Sequence, residues 1–307
     1  MSDFFYLLEN CELCPRKCGA NRLKGERGYC NSGAGFEISS ICIHNGEEPP
    51  ISGKLGICNI FFPHCNIQCV FCQNCQISDN KTFIKSPLTL NNVVDQIISI
   101  LNRGINILGF VSPTHYLPQV IAITEAVRKR GYEPVTLWNS NAYELPEILG
   151  LLDESIDVFM PDFKYSDNDL AERFSDATDY PGVAEKAIQK MIQMRGARLI
   201  CDENGLAYRG MIIRHLVLPG HPGNSLSALR TIAENLSANI PVSLMSQYHP
   251  EHQAQKFPEI YRRVSGSEYK AVTDEYMLLE LSGWFQEPES AEFYLPDFNK
   301  NHPFEKE

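Results

Sequence analysis

Cysteine is the residue type best placed to do chemistry in this chain of 307 residues: there are eleven, and seven fall into two tight groups. Cys65, Cys69 and Cys72 form one, Cys11, Cys14, Cys18 and Cys30 the other, while Cys42, Cys58, Cys75 and Cys201 stand apart without an evident role. An odd number of cysteines in a long chain matches a secreted disulfide scaffold poorly, so metal or iron–sulfur ligation in a reducing compartment is the better reading. Three thiolates can hold three irons of a [4Fe–4S] cluster and leave the fourth iron open. Zinc, with Cys75 as a further ligand, is the competing reading, although zinc sites usually pair their ligands at short spacing. An open iron suits a small molecule that chelates through an amino and a carboxylate group, and Phe71, just before the last cysteine, could lie against an adenine.

The elements that must position these thiols read as an α/β chain. From about residue 56, short apolar runs alternate with amphipathic stretches. Strands are expected at 57–62, 105–111, 134–138, 158–163, 211–218 and 242–245, and helices near 91–103, 117–130, 180–195, 224–238 and 257–264, with a looser one around 144–153. Six such units predict a partial (β/α)6 barrel over 56–281, a doubly wound sheet being the alternative. Cys65, Cys69 and Cys72 follow the first strand, at the end of the barrel where active sites gather. Residues 1–55 are rich in Gly and Cys and poor in apolar runs, so an inorganic centre would have to supply order there. Gly19, Gly25 and Gly28 permit the tight path that wrapping it demands. A [4Fe–4S] cluster, zinc, or disulfides and free thiols each fit this cysteine-rich appendage. Residues 282–307, with Trp284, Phe285, Phe293, Tyr294 and Phe298, are expected to form an irregular tail packed on the barrel.

The formal net charge of −11 disfavours non-specific binding to nucleic acid or anionic membrane. The first residues lack the features of a signal peptide, and no run of eighteen apolar residues occurs, which predicts a cytoplasmic protein.

The loop from Cys65 to Cys72 resembles the radical S-adenosylmethionine (SAM) motif. The runs Glu47–Gly53 and Ile60–Ser78 are similar to a poorly characterised branch related to pyruvate formate-lyase activating enzymes. The resemblance implies a radical SAM barrel with the cluster on Cys65, Cys69 and Cys72. SAM binds the open iron there, and one electron cleaves its sulfonium to methionine and a 5′-deoxyadenosyl radical that abstracts hydrogen. It further implies cofactor-binding roles at successive strand ends. Ser112 and Thr114 stand where the SAM amino group is received, replacing the usual glycines and glutamate. Asn139, Ser140 and Asn141 follow the third strand. Asp162 and Lys164 resemble an Asp-x-Lys element that organises a monovalent cation near SAM, an internal ion pair being the alternative. Arg214 matches the arginine that meets the SAM carboxylate, pairing with a core acid being its alternative. His249, with Gln247 nearby, matches a histidine that reaches the SAM and substrate region. Relatives sometimes carry an auxiliary cluster, which favours a second [4Fe–4S] cluster over zinc on Cys11, Cys14, Cys18 and Cys30.

The expected reaction is hydrogen abstraction from a protein or peptide, including glycyl-radical formation. Radical modification of a small metabolite or nucleoside and a catalytically inactive iron–sulfur or zinc interaction protein are the alternatives. Reduced ferredoxin or flavodoxin is the expected electron donor. Residues 11–30 carry Arg16, Lys17, Arg22, Lys24 and Arg27 against Glu12 and Glu26, a local excess of three positive charges that an acidic donor could meet.

Overall fold

The structure, a computed structural model, describes residues 3–82, 86–286, 295–300 and 302–304. Phe293 and Tyr294, expected in the packed tail, lie outside the described residues. The first half runs β1 (Ser40–His44), α1 (Pro49–Ser52), β2 (Ile57–Phe61), α2 (Cys75–Ser78), α3 (Leu90–Leu101), β3 (Ile107–Val111), α4 (Leu117–Lys129), β4 (Val135–Ser140) and α5 (Pro146–Leu149). The second continues with β5 (Val158–Pro161), α6 (Asn168–Ser175), α7 (Tyr180–Arg195), β6 (Leu199–Cys201), β7 (Ala207–Met211), β8 (Ile213–Leu216), α8 (Pro222–Thr231), β9 (Val242–Met245), α9 (Gly266–Leu278) and β10 (Gly283–Phe285).

Strands β2, β3, β4 and β5 pair in parallel, and β7 continues the arc beside β5. After Ile212 the same path becomes β8, which pairs in parallel with β9. A bridge between Asp162 and Arg214 joins the two sheets into one curved wall. Six parallel strand positions therefore form the expected partial barrel. Three additions were not expected: β1 runs antiparallel along β2, β6 runs antiparallel along β7, and β10 adds a parallel strand beyond β9. Ser40–His44 thus builds the barrel edge rather than the appendage, and the tail begins as a strand.

The helices follow their capping chemistry and apolar faces. In α3, the Thr89 side chain accepts from the Asn92 N–H, and Val93, Val94, Ile97 and Leu101 form the buried stripe. The helix expected at 257–264 is instead a turn, and the helix starts at Gly266, where Ser265 and Glu268 form a reciprocal capping box. The stretch expected as one helix over 224–238 is α8 followed by a π-helical segment, Ile232–Ser237.

Strand alternation sorts the two faces of the wall. Cys58, Ile60, Phe110 and Trp138 join the large core under the helices, whereas Ile57, Ile107, Leu137, Val158, Met160 and Ile212 form a separate apolar cluster with Ile51. That second cluster plugs the barrel at the starts of its strands and leaves the strand ends for the site. Gly109 lets the middle layer close, because a Cβ there would lie 2.1 Å from Asn59 Oδ1. Among the described residues, no helix is long and apolar enough to cross a membrane.

Candidate active site at the strand ends

The segment leaving β2 bends at 63–64 and 66–67 and turns at 70–71, which brings Cys65, Cys69 and Cys72 to one cleft. The other walls come from the ends of β3 (Val111 and Ser112), β4 (Asn139 and Ser140), β8 (Leu216) and β9 (Met245). His64 adopts φ 64° immediately before the first cysteine and Ser112 adopts φ 50°, so both strand exits are bent through the left-handed region.

Each thiol has its own polar partner. The Asn141 amide donates to Cys65 Sγ at 3.3 Å, the Ser175 hydroxyl to Cys69 Sγ at 3.0 Å, and Cys72 Sγ lies 3.0 Å from Ser78 Oγ. Burial pushes the Cys65 thiol up to about 12 and the Cys69 thiol up to about 11, and it raises Cys72 as well. The Lys164 ammonium acts against that rise at all three sulfurs. Burial also opposes the charge of Lys164, but Asp162, Cys69 and Cys72 outweigh it and hold the lysine pKa above its ordinary value. Sulfurs that burial would keep protonated thus gain the donors and the cation that thiolates bound to iron require.

Several expected SAM contacts line this cleft. Phe71, Ser112, Asn139, Ser140, Asn141, Asp162, Lys164, Arg214 and Gln247 all border it. Some of them are already engaged. The Ser140 hydroxyl donates to Glu144 at 2.6 Å, and Asn141 spends its amide on Cys65 and Asn66. Asp162 lies 2.6 Å from Lys164 and 3.9 Å from Arg214, so both cations share its charge. Arg214 donates to Glu47 at 3.0 Å and lies 3.5 Å from Glu48; a guanidinium this buried needs such partners. Arg214 therefore pairs with core acids while also bordering the cleft, and a SAM carboxylate would have to share it with both glutamates.

Two expected contacts lie elsewhere. Thr114 is buried away from the cleft with its hydroxyl donating to Glu144 at 2.9 Å, part of a network in which Trp138 Nε1 also donates to that carboxylate. Burial raises the Glu144 pKa, while its three donors work the other way. His249 does not line the cleft either, and its Nδ1 sits 2.8 Å from Glu251. Glu47, Glu48, Ser78, Glu144, Ser175 and Met245 were not anticipated. Glu47, Glu48 and Ser78 lay within runs already singled out and Met245 within an expected strand, but nothing local marks Ser175 as a partner for a cysteine 106 positions away.

The N-terminal cysteines form a second group. Burial pushes Cys14 up to about 12, and the charges of Cys30, Cys11 and Cys18 add to that rise, so Cys14 lies within electrostatic reach of all three. Gly28 passes directly over Cys18, where a Cβ would fall 2.1 Å from the sulfur. Arg22 is buried, with one guanidinium nitrogen 4.0 Å from Cys11 Sγ and 2.6 Å from the His115 carbonyl oxygen. Among the described residues, no three His, Cys, Asp or Glu side chains close on one point as a single metal ion requires. Ligands to a four-iron cluster each stand on a separate iron and are spaced more widely. Of the expected basic face, Arg22 is buried and Arg16 contacts Asp176, whereas Lys17, Lys24 and Arg27 are exposed, Arg27 pairing with Glu37.

The remaining cysteines are scattered: Cys58 lies in the core, Cys42 packs with Phe61 and Val111, Cys75 opens α2, and Cys201 is exposed.

The sequence model of the Radical SAM superfamily matches residues 59–204. An uncharacterized protein of Methanocaldococcus jannaschii is 32% identical over 276 residues, covering 87% of this chain and 74% of the relative. The fold is similar to Streptococcus suis SuiB bound to the precursor peptide SuiA, with a TM-score of 0.52, 14% identity, and coverage of 77% of this chain and 51% of that one. It is likewise similar to HydG, a maturase of the [FeFe]-hydrogenase, with a TM-score of 0.50, 16% identity, and coverage of 76% of this chain and 52% of that one. The chain thus spans about half the length of either structure. A partial barrel whose first strand delivers Cys65, Cys69 and Cys72 to a cleft, with these matches to the sequence model and the archaeal relative, belongs to an enzyme of the radical SAM superfamily, whose chemistry uses a [4Fe–4S] cluster and SAM.

Proposed function

We propose that Cys65, Cys69 and Cys72 hold the [4Fe–4S] cluster and that SAM lies in the adjoining cleft. The supporting observation is the set of three thiols on one cleft wall, each with its own hydrogen-bond partner and all within reach of the Lys164 charge. When bound and reduced, the cluster supplies the electron that splits the SAM sulfonium, releasing methionine and a radical that takes a hydrogen atom from the substrate. Asp162 fixes the Lys164 ammonium near the sulfurs, where it offsets the negative charge of the ligated cluster. Phe71 offers an apolar face to the adenine. Asn139, whose side chain has no hydrogen-bond partner among the described residues, offers its amide to polar groups of SAM, and Ser112 and Gln247 border the same space. Cys11, Cys14, Cys18 and Cys30 hold an auxiliary centre, read as a second [4Fe–4S] cluster in preference to zinc. Reduced ferredoxin or flavodoxin supplies the electron.

The preferred substrate is a protein or peptide, as in glycyl-radical activation. A small metabolite or nucleoside is the second reading. It is favoured by Phe298 and Phe304, which pack against Phe61 and occupy the side of the barrel beside β1. Isotope transfer tests the hydrogen abstraction. Reconstituted, reduced protein given SAM and a deuterated candidate should place deuterium in 5′-deoxyadenosine. Steady SAM cleavage without label from any peptide candidate, but with label from a small molecule, would replace the first reading by the second.

A further inference from the structure

We propose that Asn80 is a positioning residue that couples the N-terminal cysteine centre to the cluster loop. The inference rests on the reading that both cysteine groups hold inorganic centres. Every hydrogen-bonding group of Asn80 is used in joining the two regions. Its Oδ1 accepts from the Cys65 N–H at 3.1 Å, and its Nδ2 donates to the Tyr29 carbonyl at 2.8 Å. Its own carbonyl accepts from Asn31 Nδ2 at 2.8 Å, and its N–H donates to Gln68 Oε1 at 3.1 Å.

Tyr29 and Asn31 are the two chain neighbours of Cys30. One side chain therefore ties the backbone beside an N-terminal cysteine to the backbone amide of the first cysteine of the loop. A second strut supports the same point. Arg16, between Cys14 and Cys18, donates to the Asn66 carbonyl at 2.9 Å and lies over the Tyr29 ring at 3.9 Å. Cys65 is thus tied to the N-terminal segment on both sides, through Asn80 at its own N–H and through Arg16 at the carbonyl of Asn66, whereas Cys69 and Cys72 take their partners from Ser175 and Ser78. Asparagine suits the junction because it carries an acceptor and a donor on one short side chain; aspartate keeps the first and loses the second. Outer-shell bonds of this kind orient ligands and tune a metal centre, so a change at Cys30 should be felt at the cluster loop.

A double-mutant cycle on the full chain, reconstituted anaerobically, tests the coupling through SAM affinity and the electron paramagnetic resonance spectrum of the reduced loop cluster. Cys30→Ala alone should shift the spectrum and weaken SAM binding by about fivefold or more, the usual scale of coupling between sites. In an Asn80→Ala background the same substitution should change SAM binding by less than about twofold. Asn80→Asp, which retains the acceptor for Cys65, should uncouple the sites similarly while keeping full iron on the loop, and it guards against a variant that fails to fold. Equal effects of Cys30→Ala in all three backgrounds, including no effect in any, would overturn the proposal. Metal analysis separates its foundation: unchanged metal in Cys30→Ala would remove the N-terminal centre and the coupling with it.

Discussion

The two cysteine groups of this protein are positioned by opposite means. Cys65, Cys69 and Cys72 sit on a loop carried by a parallel strand, with a large apolar core behind it. Residues 9–39 have one short turn of helix at Arg22–Lys24 and an isolated bridge at Phe36, and they are held largely by side chains that bond distant carbonyls. Arg22 spans from Gly33 to His115, and Arg16 reaches Asn66 and Asp176. A barrel strand keeps its place through many small apolar contacts spread along its length. The N-terminal segment depends on a few charged junctions, each of which matters.

Within the barrel, Arg214 is the place where a single charge should matter most. Arg214→Ala would leave Glu47 and Glu48 buried without their cation, and the expected loss is about 3 kcal/mol of stability in anaerobic denaturant unfolding. Weakened SAM binding at unchanged stability would instead return Arg214 to the SAM carboxylate.

In the N-terminal segment, Arg22→Met should cost about 2 kcal/mol, because the Gly33 and His115 carbonyls lose a charged donor. The same measurement should show metal loss from the N-terminal group before the loop cluster is disturbed. A loss below about 0.5 kcal/mol, the range of ordinary surface substitutions, would contradict the contrast between the two regions.

The contrast also explains what could be read from sequence. Apolar runs and helical periodicity encode the barrel directly, so β9 and α7 fall on the ranges expected for them. Helix α6 escaped through its shortness: it spans only eight residues, little more than two turns, with a buried face of Ala171, Phe174 and Ser175. Helix α9 carried a readable start in Ser265 and Glu268, masked by a weak apolar pattern. Strand β1 was hidden because its pairing with β2 rests on partners up to 21 residues away, such as Ser40 with Phe61. In the site, strand ends pointed to Asn139, Asp162 and Lys164. The partners of other site residues, such as Glu47 for Arg214 or Ser175 for Cys69, come from chain separations that no local pattern records.

The smallest expected effect sharpens the picture of the loop. Ser175→Ala removes one hydrogen bond to Cys69 Sγ and should leave iron content unchanged while moving the cluster midpoint potential to a more negative value, since donors to sulfur favour the reduced, more negative cluster. A redox titration followed by electron paramagnetic resonance reads the shift, and an unchanged potential would remove Ser175 from the site.

The assignment of the cluster to Cys65, Cys69 and Cys72 is tested most directly by product analysis combined with Mössbauer spectroscopy on wild-type protein and a variant with all three replaced by alanine. Reduced wild-type protein should convert SAM to methionine and 5′-deoxyadenosine, with about eight irons per chain if both groups hold four-iron clusters. The variant should make neither product and keep about four irons on the N-terminal group. Continued formation of 5′-deoxyadenosine by the variant would contradict the account.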